Sequence, residues 1–410
     1  MARKNQHQVL ISGAGPTGLA AALFLTQRGV AVDLVDERGE AKDDDVTVVL
    51  HADTVERLED AGAHLDLAHH ASPIDTVVVH DRSRRHASLA LPESSVHPGP
   101  VVALPLRVVR DRLEAALRAR GVKVQWHRRL ARIDATADDA AVDIEVLDRD
   151  SAGYAVSHME GIVVRVLREK PAHVIAADGP ESTVRTQLRV TRRPVGPAKL
   201  VAAFEFDTRW NPGTELQIYV GLDSATLWPA PGGRVRLTFE LSEATPLLEA
   251  WLAARHVPDR ADLRVLMEAH LPWLDLPVDR LRWSHVERYQ AEVVDRAALG
   301  PTWLLGEAAH RFSPLASQSL NHAIHQAHDV AATIDDVARH QAGPDLYERL
   351  GTRLRTQSMQ LAHLGDHYQP TDATDPFVAG NYRKILAALP ASGRDLDDLA
   401  ARLGLAARAL

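Results

Sequence analysis

The chain has 410 residues, with 47 Lys+Arg against 55 Asp+Glu for a formal net charge of −8, and it is 45% hydrophobic and 25% charged. That length supports two or more domains around a sizeable core, and the acidic balance argues against a nucleic-acid partner, which needs a basic face. The absence of cysteine excludes disulfides, thiolate zinc sites, iron–sulfur clusters and a cysteine nucleophile.

Arg3 and Lys4 precede a mostly apolar stretch ending near residue 25, a layout superficially like a signal peptide. Gly13, Gly15, Pro16 and Gly18 interrupt it and no small-residue cleavage pattern follows, so the segment reads as part of the fold. No other stretch reaches the roughly 20 apolar residues that span a bilayer, and a cytoplasmic protein is expected, with no membrane partner. Residues 9–12 read as a strand, Gly13-Ala-Gly15-Pro-Thr-Gly18 as a glycine turn, 19–27 as a helix and 30–35 as a strand ending at Asp36. This is the βαβ setting that GxGxxG requires. Gly13 permits the tight turn, Gly15 lets a pyrophosphate approach the backbone, and Gly18 lets the helix pack on the strand. The helix N-terminus offers N–H groups, and Asp36 can accept from ribose hydroxyls, with Glu37 a worse-registered alternative.

Helices are expected over 50–61 and 108–120, the second stopped by Gly121, and strands over 122–126, 142–147 and 162–167, with a polar loop containing Gly153. Residues 200–241 alternate β-formers between turn signals at Asn211-Pro-Gly and Pro231-Gly-Gly. By period-two alternation Phe204 and Phe206 share a face that either packs the core or lines a pocket. A short buried strand at 303–305, a helix over 321–340 and a mostly helical C-terminal stretch complete the chain.

Two further motifs narrow the reading. Asp178-Gly179-Pro-Glu-Ser182-Thr-Val-Arg185 follows a strand, and Leu304-Leu-Gly306-Glu307-Ala-Ala-His310-Arg-Phe-Ser-Pro314 comes later, followed by Gln318 and Asn321. With the glycine turn, these resemble the class A flavoprotein monooxygenases, the para-hydroxybenzoate hydroxylase-like family, over about residues 9–349. The resemblance implies an α/β fold: a GR2-type FAD-binding domain with a central parallel sheet, interleaved with an antiparallel β-sheet substrate domain and closed by C-terminal helices. The implied divisions are 1–72, 101–190 and 288–345 for the FAD-binding-type domain, 73–100 and 191–287 for the substrate domain, and 346–410 for the C-terminal helices. It carries over Gly13, Gly15, Gly18, Asp36, Asp178, Gly306 and Glu307 as cofactor-binding positions. Family members use NAD(P)H to reduce the flavin and O₂ to hydroxylate aromatic or polyketide substrates.

Where the family has Gly-Asp, this chain has Gly306-Glu307, one methylene longer. Where it has G-G-Q-G-x-N against the flavin ring, this chain has Ala316-Ser317-Gln318-Ser319-Leu320-Asn321. Three non-glycine residues held left-handed would cost about 3–6 kcal/mol. The family's arginine, glutamine and aspartate positions fall on Val46, Leu106 (beside Arg107) and Gln326. These departures cluster on the flavin, so FAD binding is expected to be weakened or absent, with NAD(P)H needed only by a monooxygenase.

His322, His325 and His328 recur every third residue on a helix and spread over roughly 120° of it. A metal there needs further ligands, so core or half-exposed histidines are expected and no metal site. His310 carries a structural role by resemblance, and His51, near the expected flavin–substrate junction, is a candidate acid or base. His69-His70 and Asp43-Asp44-Asp45 read as solvated loops. No G-x-S-x-G, H-E-x-x-H or P-loop lysine occurs, and catalytic residues stay unassigned. Three readings stand: a non-redox cyclase that folds a hydrophobic polyketide-type substrate in its cavity, which is favoured; an FAD- and NAD(P)H-dependent monooxygenase; and a non-catalytic ligand-binding relative.

Overall fold

The computed structural model describes residues 4–40, 46–91, 101–136, 139–148, 162–241, 246–340 and 345–408. The expected loops at Asp43-Asp44-Asp45 and around Gly153 lie outside these residues. The chain opens with β1 (Lys4–Ser12), α1 (Pro16–Gln27) and β2 (Ala31–Val35). Helix α1 begins ahead of its apolar run because Pro16 presets the first helical φ. Residues 18–25 are all buried, as expected of a helix apolar on every side and enclosed by its neighbours.

Next come β3 (Thr47–Leu50), α2 (Ala52–Asp60), α3 (Leu67–His70), β4 (Ser72–Ile74), β5 (Thr76–Asp81), β6 (Arg84–Ala90), β7 (Val101–Pro105) and α4 (Leu106–Ala119). They are followed by β8 (Arg128–Ala135), β9 (Ala140–Asp148), β10 (Ile162–Ala176) and α5 (Thr183–Gln187). The second half contains β11 (Arg192–Asp207), β12 (Glu215–Val220), β13 (Ser224–Ala230), β14 (Arg234–Leu241), α6 (Pro246–Ala254), α7 (Arg260–His270) and β15 (Arg280–Val294). Then follow β16 (Ala298–Leu299), β17 (Thr302–Leu304), β18 (His310–Arg311), α8 (Gln318–His340) and α9 (Asp345–Ala362). The chain closes with α10 (Leu364–His367), β19 (Tyr368–Pro370), α11 (Pro376–Ala388), α12 (Gly393–Arg402) and β20 (Leu405–Ala407).

Among the described residues, one sheet runs β16-β17-β10-β1-β2, with β9 and β8 extending from β10, and another runs β18-β15-β11-β14-β13-β12-β5-β6. Strand β10 is the pivot of the first. Val174–Ala176 lies parallel between β1 and β17, while its first half pairs antiparallel with β9. What reads in sequence as two strands is therefore one of fifteen residues. The strand expected at 122–126 shrinks to one bridge between Gln125 and Val35, because the chain turns at His127 (φ +57°) into β8. Strands β5, β6 and β15 and helices α6 and α7 were not expected.

The eight-stranded sheet is covered on both faces. One face places Phe204, Phe206 and Phe239 against Leu263 and Leu266 of α7, so the Phe204/Phe206 face packs the core. The other places Ile218, Trp228 and Val79 with Val49, Leu315 and the apolar sides of α11 and α12. No helix among the described residues is long and apolar enough to cross a membrane.

Candidate functional site

The glycine turn joins β1 to α1, and its three glycines answer three different demands. Gly13 has φ +102°, and a Cβ there would stand 2.2 Å from the Ala177 carbonyl oxygen. A Cβ on Gly18 would stand 1.9 Å from the Gly13 carbonyl oxygen. Both glycines are therefore required by the protein's own backbone. Gly15 is different: φ is −71°, ψ is 175°, and a Cβ would meet nothing within 4 Å. Any residue can adopt that conformation, so only something approaching from outside gives glycine a purpose at 15. No side chain caps α1, whose first-turn N–H groups make an anion-binding end.

Asp36 is buried at the end of β2, one carboxylate oxygen accepting from the Ala14 N–H at 2.7 Å. Arg38 Nε and Nη2 hold the two oxygens at 2.9 and 2.8 Å. Burial pushes this carboxyl up, but the Arg38 and backbone hydrogen bonds outweigh it and leave it below the usual range. Asp36 thus stands at the expected place with a partner, Arg38, that sequence reasoning missed. Asp178 opens the turn into α5, where its Oδ2 accepts from the Val184 N–H at 3.3 Å. Its Oδ1 is buried and has no partner among the described residues. Arg185 reaches from α5 to the Ala308 carbonyl at 3.1 Å and the Pro180 carbonyl at 2.6 Å, locking the second motif to the third. Gly306, at φ +60°, packs against Thr17 of α1, and exposed Glu307 follows it in a short 3-10 turn. The turn, the α1 terminus and the orphaned Asp178 oxygen fit the adenosine-diphosphate half of FAD.

The segment expected to face the flavin ring is hydrogen-bonded to other parts of this chain. Ser317 alone of the three substituted glycine positions is left-handed (φ +52°). The expectation of three strained residues is thus corrected: the cost falls from about 3–6 to about 1–2 kcal/mol, because the turn into α8 needs one reversal of the chain. The Ser317 hydroxyl accepts from the Val49 N–H at 3.2 Å, and Ser319 accepts from the Phe312 N–H at 2.9 Å. Asn321 accepts from the His51 N–H at 2.8 Å and donates to the Val49 and Ser317 carbonyls at 2.9 and 3.0 Å. Gln318 donates to the Leu389 and Ala391 carbonyls at 3.1 and 3.2 Å, which draws the α11–α12 turn over the loop. Ser317 and Ser319, which stand where the family has glycine, thus have their hydroxyls bonded to the protein's own main chain, as are the side-chain amides of the family-matched Gln318 and Asn321.

The other departures belong to the same internal packing. Leu106 N–H donates to the Val46 carbonyl at 2.8 Å, so the two positions face each other in main-chain contact. Buried Gln326 lies 3.1 Å from His310 Nε2 and donates to the Ser358 hydroxyl at 3.1 Å. Burial lowers the His310 pKa to about 3 and the His322 pKa well below its ordinary value.

His51 sits under the loop. Burial lowers its pKa to about 4, partly opposed by Asp53, so the ring is neutral. Its Nε2–H donates to the Ala316 carbonyl at 3.1 Å, leaving Nδ1 to accept from Ser392. Ser392, at the start of α12, carried no sequence signal linking it to residue 51. The helical histidines part company: His322 pairs with Ser358 at 2.9 Å and His325 with Thr54 at 3.0 Å, while His328 lies between Arg28 and Arg57.

Two ion pairs on the eight-stranded sheet also escaped the sequence, the first of them buried. Glu205 and Arg236 lie 3.5 Å apart and clasp the main chain of Thr47, with the guanidinium against Trp228 and Trp283. Burial pushes the Glu205 carboxyl up and the Arg236 guanidinium down, each opposed by the other. The second pair joins Lys199 and Glu240, and Glu240 also accepts from the Ser313 hydroxyl at 2.9 Å.

The family described as "FAD binding domain" matches residues 6–363. The chain is 27% identical over 354 residues to 6-methylpretetramide 4-monooxygenase of Streptomyces rimosus, covering 83% of this chain and 58% of that protein. It spans about three fifths of the length of the first curated relatives it matches. Among solved structures, p-nitrophenol 4-monooxygenase from Pseudomonas putida superposes with a TM-score of 0.72 at 17% identity, covering 98% of both chains. The Diels-Alderase PyrE3 of pyrroindomycin biosynthesis superposes at 0.68 with 20% identity, covering 97% of this chain and 80% of that one. At these identities the structures establish a shared fold.

Proposed function

We propose, for a chain that belongs to the FAD-binding-domain family of class A flavin monooxygenases, that it catalyses ring formation in a hydrophobic polyketide-type molecule without flavin redox chemistry. The observation that carries this reading is the loop over residues 316–321, where Ser317 and Ser319 stand in place of the family's glycines with their hydroxyls bonded to Val49 and Phe312. Catalysis then rests on holding one substrate conformer in a cavity, where orientation alone is worth up to about 7–11 kcal/mol. The resemblance in fold to a Diels-Alderase supports a scaffold able to do this. When bound, FAD supplies two-electron transfer and oxygen activation. Gly13, Gly15, Gly18, Asp36, Asp178, Gly306 and Glu307 are the residues that would hold it.

One observation favours the monooxygenase reading as a second. Gly15 keeps open room at the α1 terminus, and several relatives are named monooxygenases. The visible spectrum of the purified full chain, before and after denaturation with FAD added, separates the two. Flavin that is bound, reduced by NAD(P)H and coupled to substrate-stimulated oxygen uptake overturns the non-redox reading. Turnover to a product of unchanged mass with no flavin present supports it, and also removes the non-catalytic alternative.

A further inference from the structure

A cavity of about 390 Å³ lies between the substrate sheet, the Phe312–Ser313 turn and the α9–α10 junction. Lys199, Glu240, Tyr289, Phe312, Ser313 and Leu361 are among its lining residues, a mostly apolar wall with a few convergent polar groups. Glu240 is only 4% exposed, yet it is paired with Lys199 and accepts from the Ser313 hydroxyl. Tyr289 is equally buried, and its hydroxyl makes no hydrogen bond among the described residues. The contrast with the buried Glu205–Arg236 pair is informative. Glu205 and Arg236 spend their polar atoms on Thr47 and bind β3 to the sheet, which accounts for them as structure. Lys199 and Glu240 tie no main chain together and stand at a cavity wall, where they meet Ser313, whose hydroxyl donates to Glu240 and accepts from the Leu315 N–H at 3.4 Å. With Lys199 32% exposed, such a pair contributes little net stability.

We propose that this cavity is the chamber in which an apolar molecule carrying an enolisable 1,3-dicarbonyl group is held and activated, with Glu240 as base, Lys199 as the enolate's counter-ion and Ser313 as proton carrier. The assignment rests on the non-redox reading above and deepens it by naming the acid–base groups. The Glu240 carboxylate takes a proton from the carbon between the two carbonyls, and the Lys199 ammonium pairs with the enolate oxygen that forms. That carbon then bonds to an electrophilic carbonyl carbon of the same molecule, whose C=O π bond opens to an alkoxide. The alkoxide takes the proton back from Glu240 through Ser313. One C–C bond is made, no electrons leave, and the product is an isomer of the substrate. A short, positioned base and a fixed cation at the developing negative charge are the two elements such a step needs.

The test uses the full chain and ethyl benzoylacetate, a β-ketoester small enough for the cavity, in deuterated buffer at one neutral pH. Proton NMR follows deuterium uptake at the carbon between the carbonyls, and tryptophan quenching follows binding. The wild-type chain is expected to accelerate uptake at least tenfold over buffer. Glu240→Gln is expected to bind the probe within about threefold of wild type and to lose at least tenfold of the acceleration. Lys199→Met is expected to lose the acceleration, and Lys199→Arg to restore part of it. Should Glu240→Gln fail to melt cooperatively, Glu240→Asp, which keeps a carboxylate one methylene shorter, is expected to slow uptake about tenfold in its place. No acceleration by wild type, or acceleration unchanged in these variants, overturns the proposal. Because the assay needs neither flavin nor ring closure, its outcome is independent of the non-redox reading. A flavin-reducing chain that still shows this exchange sinks that reading alone, and a ring-forming chain indifferent to Glu240 sinks this one alone.

Discussion

Gly15→Ala separates a glycine kept for a ligand from glycines kept for the fold. A Cβ at 15 meets nothing within 4 Å, and the backbone (φ −71°, ψ 175°) suits alanine. Loss of unfolded-state freedom stabilises the variant by about 0.4–1 kcal/mol. Residue 15 is also the N-cap of α1, where alanine is poorer than glycine by about 0.5–1 kcal/mol. The two terms nearly cancel, so Tm should move by no more than about 1–2 °C. Gly13→Ala and Gly18→Ala, whose methyls would sit 2.2 and 1.9 Å from carbonyl oxygens, should each cost about 2 kcal/mol or more. ADP binding by calorimetry is the second axis. If a pyrophosphate lies against residue 15, its methyl weakens ADP at least tenfold, about 1.4 kcal/mol, in a protein of unchanged stability. Unchanged ADP affinity in Gly15→Ala, or a wild-type chain that ignores ADP, would refute the assignment of this turn.

Three further outcomes follow from the same geometry. Ser317→Gly relieves about 1–2 kcal/mol of left-handed strain and gives up one hydrogen bond worth about 0.5–1.5 kcal/mol, so stability should barely change. Its FAD affinity should exceed that of Ala316→Gly or Ser319→Gly, and equal affinities in an equilibrium titration would contradict the loop reading. His51 and His173 are both held neutral by burial, with folded pKa values of about 4 against an ordinary 6.5. Their stabilising contribution is complete above pH 6.5 and declines as pH falls from 6.5 toward 4, by about 3 kcal/mol each. Urea midpoints across that window should fall steeply, and less so in His173→Phe; a flat profile would count against it. Glu205→Leu alone should cost about 3–5 kcal/mol by stranding Arg236, whereas Glu205→Leu with Arg236→Met should recover most of it. Additive losses in chemical denaturation would argue that the pair does more than hold β3.

The glycine turn, the two later motifs and the α/β framework could be read from the chain because each is a local spacing rule. Gly13, Gly15 and Gly18 lie within six residues, and Asp178 to Arg185 within eight. Less visible was what the departures from the family pattern would do. Gln326 meets His310 and Ser358, Ser317 meets Val49, and the family-matched Gln318 beside it meets Leu389 and Ala391, with every partner but His310 (16 residues away) between 32 and 268 residues distant. No periodicity carries such pairings. The strand misread at 122–126 failed for a related reason: its β-formers are genuine, but one bridge to Val35 is all the edge of β2 allows before the chain turns.

Spacing and residue type alone determined that this chain builds a βαβ unit with a glycine turn, a sheet of alternating strands and a loop without its family's glycines. Only the tertiary structure decided what that loop costs and what it faces. Strain depends on φ, and one reversal at Ser317 suffices where three were expected. It also drew Lys199, Glu240 and Ser313, from three separate stretches, around one cavity. Such a site has no sequence signature because its members meet only when the sheet, the turn and the C-terminal helices close on one another.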